Sequence, residues 1–342
     1  MIEPLAKSCA GLDVHRKIVV CTVLRETENG SLKKDTREYP TFQQDLKKLA
    51  TWLVGLEIEL AVMESTGVYW KSVYEALEEQ GVKIYVVNAR YVKQVPGRKT
   101  DVLDSEWLAE LARCGLLKPS FVPPKNLREL RLLTRYRQKL SGILAGEKNR
   151  LHKLLDDAGI RLGCVVSDID GVSARQMIEA LIEEKVVPSE VAELAKGRLR
   201  GKKDLLERAV VGQLSDRHRF LLKGIQSHIQ WLEARLLEID GQVVAALQPY
   251  QEEWQLLQTI PGIDKLSAAM LLVEIGTDMD CFKSKEHLSS WAGLCPGNHE
   301  SAGKKKVVGL DVATATSNTY YVKSLTVPVK RTVNLKDCIV GL

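Results

Sequence analysis

No stretch of this 342-residue chain is apolar for long enough to cross a membrane. The segment from Met1 to Ala10 also lacks the basic start and apolar core of a secretion signal, so the expected location is the cytoplasm. The seven cysteines (Cys9, Cys21, Cys114, Cys164, Cys281, Cys295 and Cys338) include no pair at metal-ligand spacing. Neither a zinc site nor a disulfide framework is therefore expected, and they read as reduced thiols. The six histidines show no ligand pattern and read as surface or packing residues. No internal repeat or low-complexity tract is evident. What remains is a globular composition, 45% hydrophobic and 27% charged, in a chain too long for one small domain.

The net charge of +5 is uninformative, but its distribution is not. Between Arg90 and Lys153 basic residues outnumber acidic ones, with Arg128, Arg131, Arg135, Arg137 and Lys139 close together. Such a stripe suits a phosphate backbone, and a solvated helix face explains it equally well.

Taken in order, Ala10–His15 and Lys17–Leu24 read as strands rich in β-branched residues. Asn29-Gly30 is a hairpin signal that leads to a third strand ending near Tyr39. Phe42–Leu56 has helical period, Ile58–Met63 is a buried-strand run that delivers Glu64, Tyr69–Gln80 is a helix, and Lys83–Asn88 is the next strand. The pattern is a mixed α/β sheet, whose ligands gather beyond the carboxyl ends of strands. Leu127–Ala158 and Ile225–Leu247 are long amphipathic stretches suited to pairing as a coiled coil, with a helical insertion between them. Ile260-Pro261-Gly262-Ile263 between two helices resembles a helix-hairpin-helix, whose turn offers amides to a phosphate; a plain turn is the alternative.

The chain is organised around Gly97–Leu111. Arg98 and Lys99 form a basic approach, Thr100 stands at an N-cap position, and a helix is expected to begin near Asp101. On it Asp101 and Asp104 would share one face of the first turn, where acids are also common for capping reasons alone. Asp13 and Glu64 come from strands of one sheet. Four such carboxylates provide the hard oxygen ligands that two Mg²⁺ or Mn²⁺ ions, roughly 4 Å apart, require for phosphodiester cleavage.

Five segments together carry a family resemblance. They are Gly11-Leu12-Asp13-Val14-His15, Met63–Trp70, Lys99–Asp104, Ile260–Ile263 and Trp291–Ser301. The chain resembles the insertion-sequence-110 transposases, also called DEDD transposases or bridge-RNA-guided recombinases, over about Leu12 to Lys306. The resemblance implies an RNase H-like (RuvC-like) catalytic domain at 8–120 with Asp13, Glu64, Asp101 and Asp104 binding Mg²⁺ or Mn²⁺. A helical coiled-coil region at 126–250 would follow, with an insertion at about 159–220. A mainly helical C-terminal domain at 254–306 would supply Ser301 as nucleophile, forming a phosphoserine link to DNA. By composition alone Ser301 is an ordinary loop serine.

The resemblance further implies a noncoding guide RNA that pairs with donor and target DNA, and a homodimer or homotetramer. Arg98, Lys99, Arg128, Arg131, Arg135, Arg137, Gly262, Lys304, Lys305 and Lys306 are the expected nucleic-acid contacts. The tail at 307–342 shows neither the basic segment nor the amphipathic helix typical of the family, and is expected to reflect a frameshift or truncation. Two other readings stay open: a junction-resolving nuclease that uses the acids without Ser301, and a nucleic-acid-binding protein without catalysis.

Overall fold

The structure is a computed structural model that describes residues 6–27, 29–65, 67–95, 103–183, 187–292, 300–301 and 304–305. It divides into two compact units, Met1–Val122 and Pro123–Leu342. Among the described residues no helix is long and apolar enough to cross a membrane.

The first unit opens with three antiparallel strands, β1 (Ser8–Val14), β2 (Ile18–Glu26) and β3 (Leu32–Pro40). The Asn29-Gly30 signal falls in the β2–β3 connection. There Gly30 takes φ +74°, a conformation that costs glycine little, and the Thr27 amide donates to the Ser31 carbonyl at 2.8 Å. Helix α1 (Gln43–Gly55), β4 (Leu60–Glu64), α2 (Trp70–Glu78) and β5 (Ile84–Val87) follow as strand and helix in alternation. β4 lies parallel to β1, and β5 parallel to β4. The resulting order β3-β2-β1-β4-β5 is that of an RNase H-like sheet.

Because side chains alternate along a strand, β1 divides its residues between two cores. Ala10, Leu12 and Val14 pack with Leu46, Leu49 and Leu53 of α1 and Val73 and Leu77 of α2. Cys9 faces the other way, toward Leu60, Val62, Val92 of α3 (Ala89–Gln94), and Leu108, Leu111 and Ala112 of α4 (Asp104–Arg113). Gly11 shares the α4 face. A Cβ placed on it would stand 2.0 Å from the Ser105 carbonyl oxygen and 2.5 Å from the Ala109 nitrogen, so the α4 backbone rests directly on this glycine. Beside it, the buried Thr22 hydroxyl hydrogen-bonds Ser105 at 2.8 Å and Thr36 at 3.0 Å, which satisfies polar groups that would otherwise be costly there.

The second unit is built on two long helices. In chain order its helices begin with α5 (Lys125–Asp157), then α6 (Val172–Glu183), α7 (Pro188–Glu193), α8 (Lys203–Ala209) and α9 (Asp216–Ala246). α5 and α9 are antiparallel. Leu151 and Leu155 near the end of α5 share a core with Leu222 and Ile229 near the start of α9, and α6 to α8 complete it with Met177, Ile178, Val191 and Leu206. At the other end, Leu127, Leu130 and Leu140 meet Leu236, Ile239 and Val243, together with α10 (Gln251–Gln258) and α11 (Lys265–Ile275). A short helix α12 (Lys285–Trp291) and an antiparallel pair of two-residue strands, β6 (Glu300–Ser301) and β7 (Lys304–Lys305), close the described chain.

Candidate active site

The parallel register of β1 and β4 pairs Leu12 with Met63, so Asp13 and Glu64 come next on adjacent strands and project from the same side of the sheet. That side is the one α4 covers. Arg113 in the last turn of α4 reaches Glu26 at 3.7 Å, beside the start of β1, so α4 runs against β1 and its first turn lies toward Asp13. Asp104 is the first residue of that turn and is exposed. Asp13 and Glu64 thus end adjacent strands at one end of the sheet, and the N-terminus of α4, which Asp104 opens, lies toward that end and favours negative charge there.

One expectation is corrected. Helix α4 begins at Asp104 and not near Asp101, because Leu103 is extended (φ −59°, ψ 144°) and its carbonyl accepts an early helical bond from the Trp107 amide. Asp101 itself lies outside the described residues, as do Arg98, Lys99, Thr100 and Lys306.

Sequence reasoning passed over His15. Its Nε2 lies 2.9 Å from Asp13 Oδ2, which fixes one face of that carboxylate. The only signal was its place two residues after Asp13 in the β1–β2 turn.

The basic stripe of α5 is largely committed within the chain. Arg131 donates from Nε to the Val273 carbonyl at 3.2 Å and also bonds the Glu274 carbonyl, capping the C-terminus of α11. Arg135 grips the Glu274 carboxylate at 3.1 and 3.3 Å, Arg137 grips Asp240 of α9, and Arg128 donates to the Pro123 carbonyl at 3.0 Å. Burial lowers the Arg131 guanidinium to a pKa of about 10, partly offset by Glu274, which is 1% exposed. Glu274→Gln is expected to cost about 2 kcal/mol, since two guanidinium groups lose their counter-charge. Unfolding by urea would show it, and an unchanged midpoint would refute it.

The hairpin Ile260–Ile263 joins α10 to α11, with Ile260 and Ile263 buried and Gly262 at φ +88°. The α11 N-terminus, however, is already served from within. Asp264 accepts from the Ser267 amide at 2.7 Å, and this bond holds its carboxyl below the ordinary range. Asp264→Ala is expected to remove about 1 kcal/mol. Because the folded pKa is depressed, this stabilisation is complete above the unfolded pKa and lost as pH falls through the folded value. Thermal melts of wild type and variant should therefore converge in acid.

Ser301 sits in β6, its backbone paired with Lys304 of β7. Lys305 pairs with Glu300 in the same hairpin.

Fold and site define an RNase H-like domain that carries acids at its strand ends, joined to a long helical region. A family model for DEDD transposases, described as "Transposase", matches residues 10–160, and one described as "Transposase IS116/IS110/IS902 family" matches 254–311. The chain belongs to the IS110 family of transposases. The "pilin gene-inverting protein" of Moraxella bovis is 54% identical over 46 residues, 14% of each chain. The transposase for insertion sequence element IS1111A of Coxiella burnetii is 22% identical over 263 residues, 75% of this chain and 62% of that one. These matches span less than two thirds of either relative's length. A RuvC structure from Thermus thermophilus is 17% identical, with a TM-score of 0.26 over 33% of this chain and 99% of RuvC.

Proposed function

We propose that the chain is a DNA transposase and recombinase that cuts and rejoins DNA strands to mobilise its own insertion sequence. One observation carries the reading: two family models fall in order along one chain, and within the first Asp13 and Glu64 end adjacent parallel strands on the side of the sheet that α4 covers. The donor set is all carboxylate oxygen, the chemistry that Mg²⁺ or Mn²⁺ prefers. Among the described residues no group of three or more His, Cys, Asp or Glu side chains lies close enough to hold a metal, and the fourth acid, Asp101, lies outside them. Asp13, Glu64, Asp104 and Asp101 would hold the ions, and bound ions would supply charge stabilisation at a phosphodiester.

Within this reading Ser301 is the nucleophile. Its Oγ gives up its proton and bonds to phosphorus while the bond from phosphorus to one sugar oxygen breaks; that oxygen takes up a proton and leaves as a hydroxyl, so a phosphodiester is kept for rejoining. Lys304, Lys305 and Lys306 beside it would meet the phosphates, and Arg98 and Lys99 would do so near the acids. A noncoding guide RNA, a homodimer or homotetramer, and action in the cytoplasm complete the proposal. The test is a denaturing gel for a covalent protein–DNA adduct, with element-end DNA, flanking-element RNA and Mg²⁺. Wild type should give an adduct and Ser301→Ala none. Cleavage that persists in Ser301→Ala without any adduct from wild type would point to a junction-resolving nuclease.

A further inference from the structure

The arginines of α5 have carboxylate or close carbonyl partners, whereas a second basic segment in the α6–α8 insertion has no carboxylate partner among the described residues. Lys196, Arg198, Arg200 and Lys202 occupy alternate positions between α7 and α8, and residues 196–203 include no acid. Gly197–Lys202 forms a 3₁₀-helix, whose rise of about 2 Å per residue spreads the four cations over roughly 12 Å. All four are exposed. Among the described residues no carboxylate lies within ion-pair distance of any of them. The neighbouring Lys203 is paired with Glu193, and Lys202 reaches only the Val165 carbonyl, at 3.5 Å.

The segment is firmly seated. The Lys196 amide donates to Ser173 Oγ at 3.0 Å, and Ala195, Leu199 and Leu206 pack into the insertion core. Its outer side is bare, because a Cβ on Gly197 or Gly201 would meet nothing within 4 Å. Four like charges on a fixed short segment repel one another, and no carboxylate among the described residues pairs with any of them. A polyanion would. A nucleic-acid duplex presents one charge about every 1.7 Å of its axis, dense enough to engage several of these cations at once.

We propose that the 196–202 segment is a contact surface for the phosphate backbone of a nucleic-acid duplex, separate from the acids and from Ser301. It extends the transposase reading and shares only its premise that the chain handles nucleic acid. The test titrates the full chain, without metal, into short labelled duplexes of DNA and of RNA across a salt series. The variant is Lys196→Gln, Arg198→Gln, Arg200→Gln and Lys202→Gln combined.

Its slope of log affinity against log salt should fall by roughly 2 to 4, and its affinity at low salt by about 10- to 100-fold. The pair Arg198→Lys with Arg200→Lys keeps the charge and should keep the slope. Circular dichroism should match wild type in both variants. Loss on DNA alone assigns the surface to DNA, loss on RNA alone assigns it to RNA, and loss on both assigns it to the shared backbone. If slope and affinity are unchanged on both duplexes, or if wild type binds neither, the proposal is wrong. Adduct formation at Ser301 is read separately, so either result stands without the other.

Discussion

Replacing Gly11 by alanine is expected to cost about 3 kcal/mol or more, the upper range for overpacking. The added methyl would lie 2.0 Å from one α4 backbone atom and 2.5 Å from another. A side chain can swing aside, but a helix backbone yields only by moving as a whole. Moving α4 would strain the Thr22–Ser105 hydrogen bond and open the core of Cys9, Leu60, Val62 and Leu108. It would also shift Asp104 away from Asp13 and Glu64, so the defect should extend from stability to DNA cleavage. Gly55→Ala is the control, because its Cβ would meet nothing within 4 Å. Urea unfolding followed by circular dichroism should give a large loss for Gly11→Ala and almost none for Gly55→Ala. Equal midpoints for the two variants would mean that α4 does not rest on β1 as described.

The second large effect is a pair of losses with different signatures. Asp13→Ala removes a carboxylate from the meeting point of β1, β4 and α4, and strand cleavage should fall by about a thousandfold, near 4 kcal/mol of barrier. Ser301→Ala should leave duplex binding intact while removing the protein–DNA adduct completely. If the acids and the serine serve one reaction, neither variant forms an adduct. A mixture of the two inactive chains could regain activity only where the site is assembled from different subunits. Normal adduct formation by Asp13→Ala would end the metal-dependent part of the proposal.

Much of the first unit was legible in the sequence. β-branched runs, the Asn29-Gly30 turn and the helical period of Phe42–Leu56 gave strands and helices within a few residues of those observed, because local preference and burial agree there. The start of α4 was misplaced for the opposite reason. Thr100 is a good capping residue, yet the helix begins after Leu103, whose side chain makes no capping bond. The capping preference of a single residue is a weak guide to a helix boundary, and here the helix starts without a side-chain cap. The α5 arginines looked like a phosphate stripe because Glu274 and Asp240 lie more than a hundred residues away. The segment at 196–202 lies outside the Arg90–Lys153 stretch in which the basic excess was read, and four cations on seven residues hardly change the charge of a 342-residue chain.

The antiparallel helices α5 and α9 belong to two cores at once, one completed by the insertion and the other by α10 and α11. This arrangement bears on the order of folding. Residues 155 and 222 at the insertion end are much closer in the chain than residues 127 and 247 at the other end, so less loop entropy is lost in bringing them together. The insertion is in this sense the hinge of a helical hairpin, and pairing can proceed from it in the manner of a zip. α10 and α11, which lead to the Ser301 hairpin, then dock on a surface that exists only once the zip has closed.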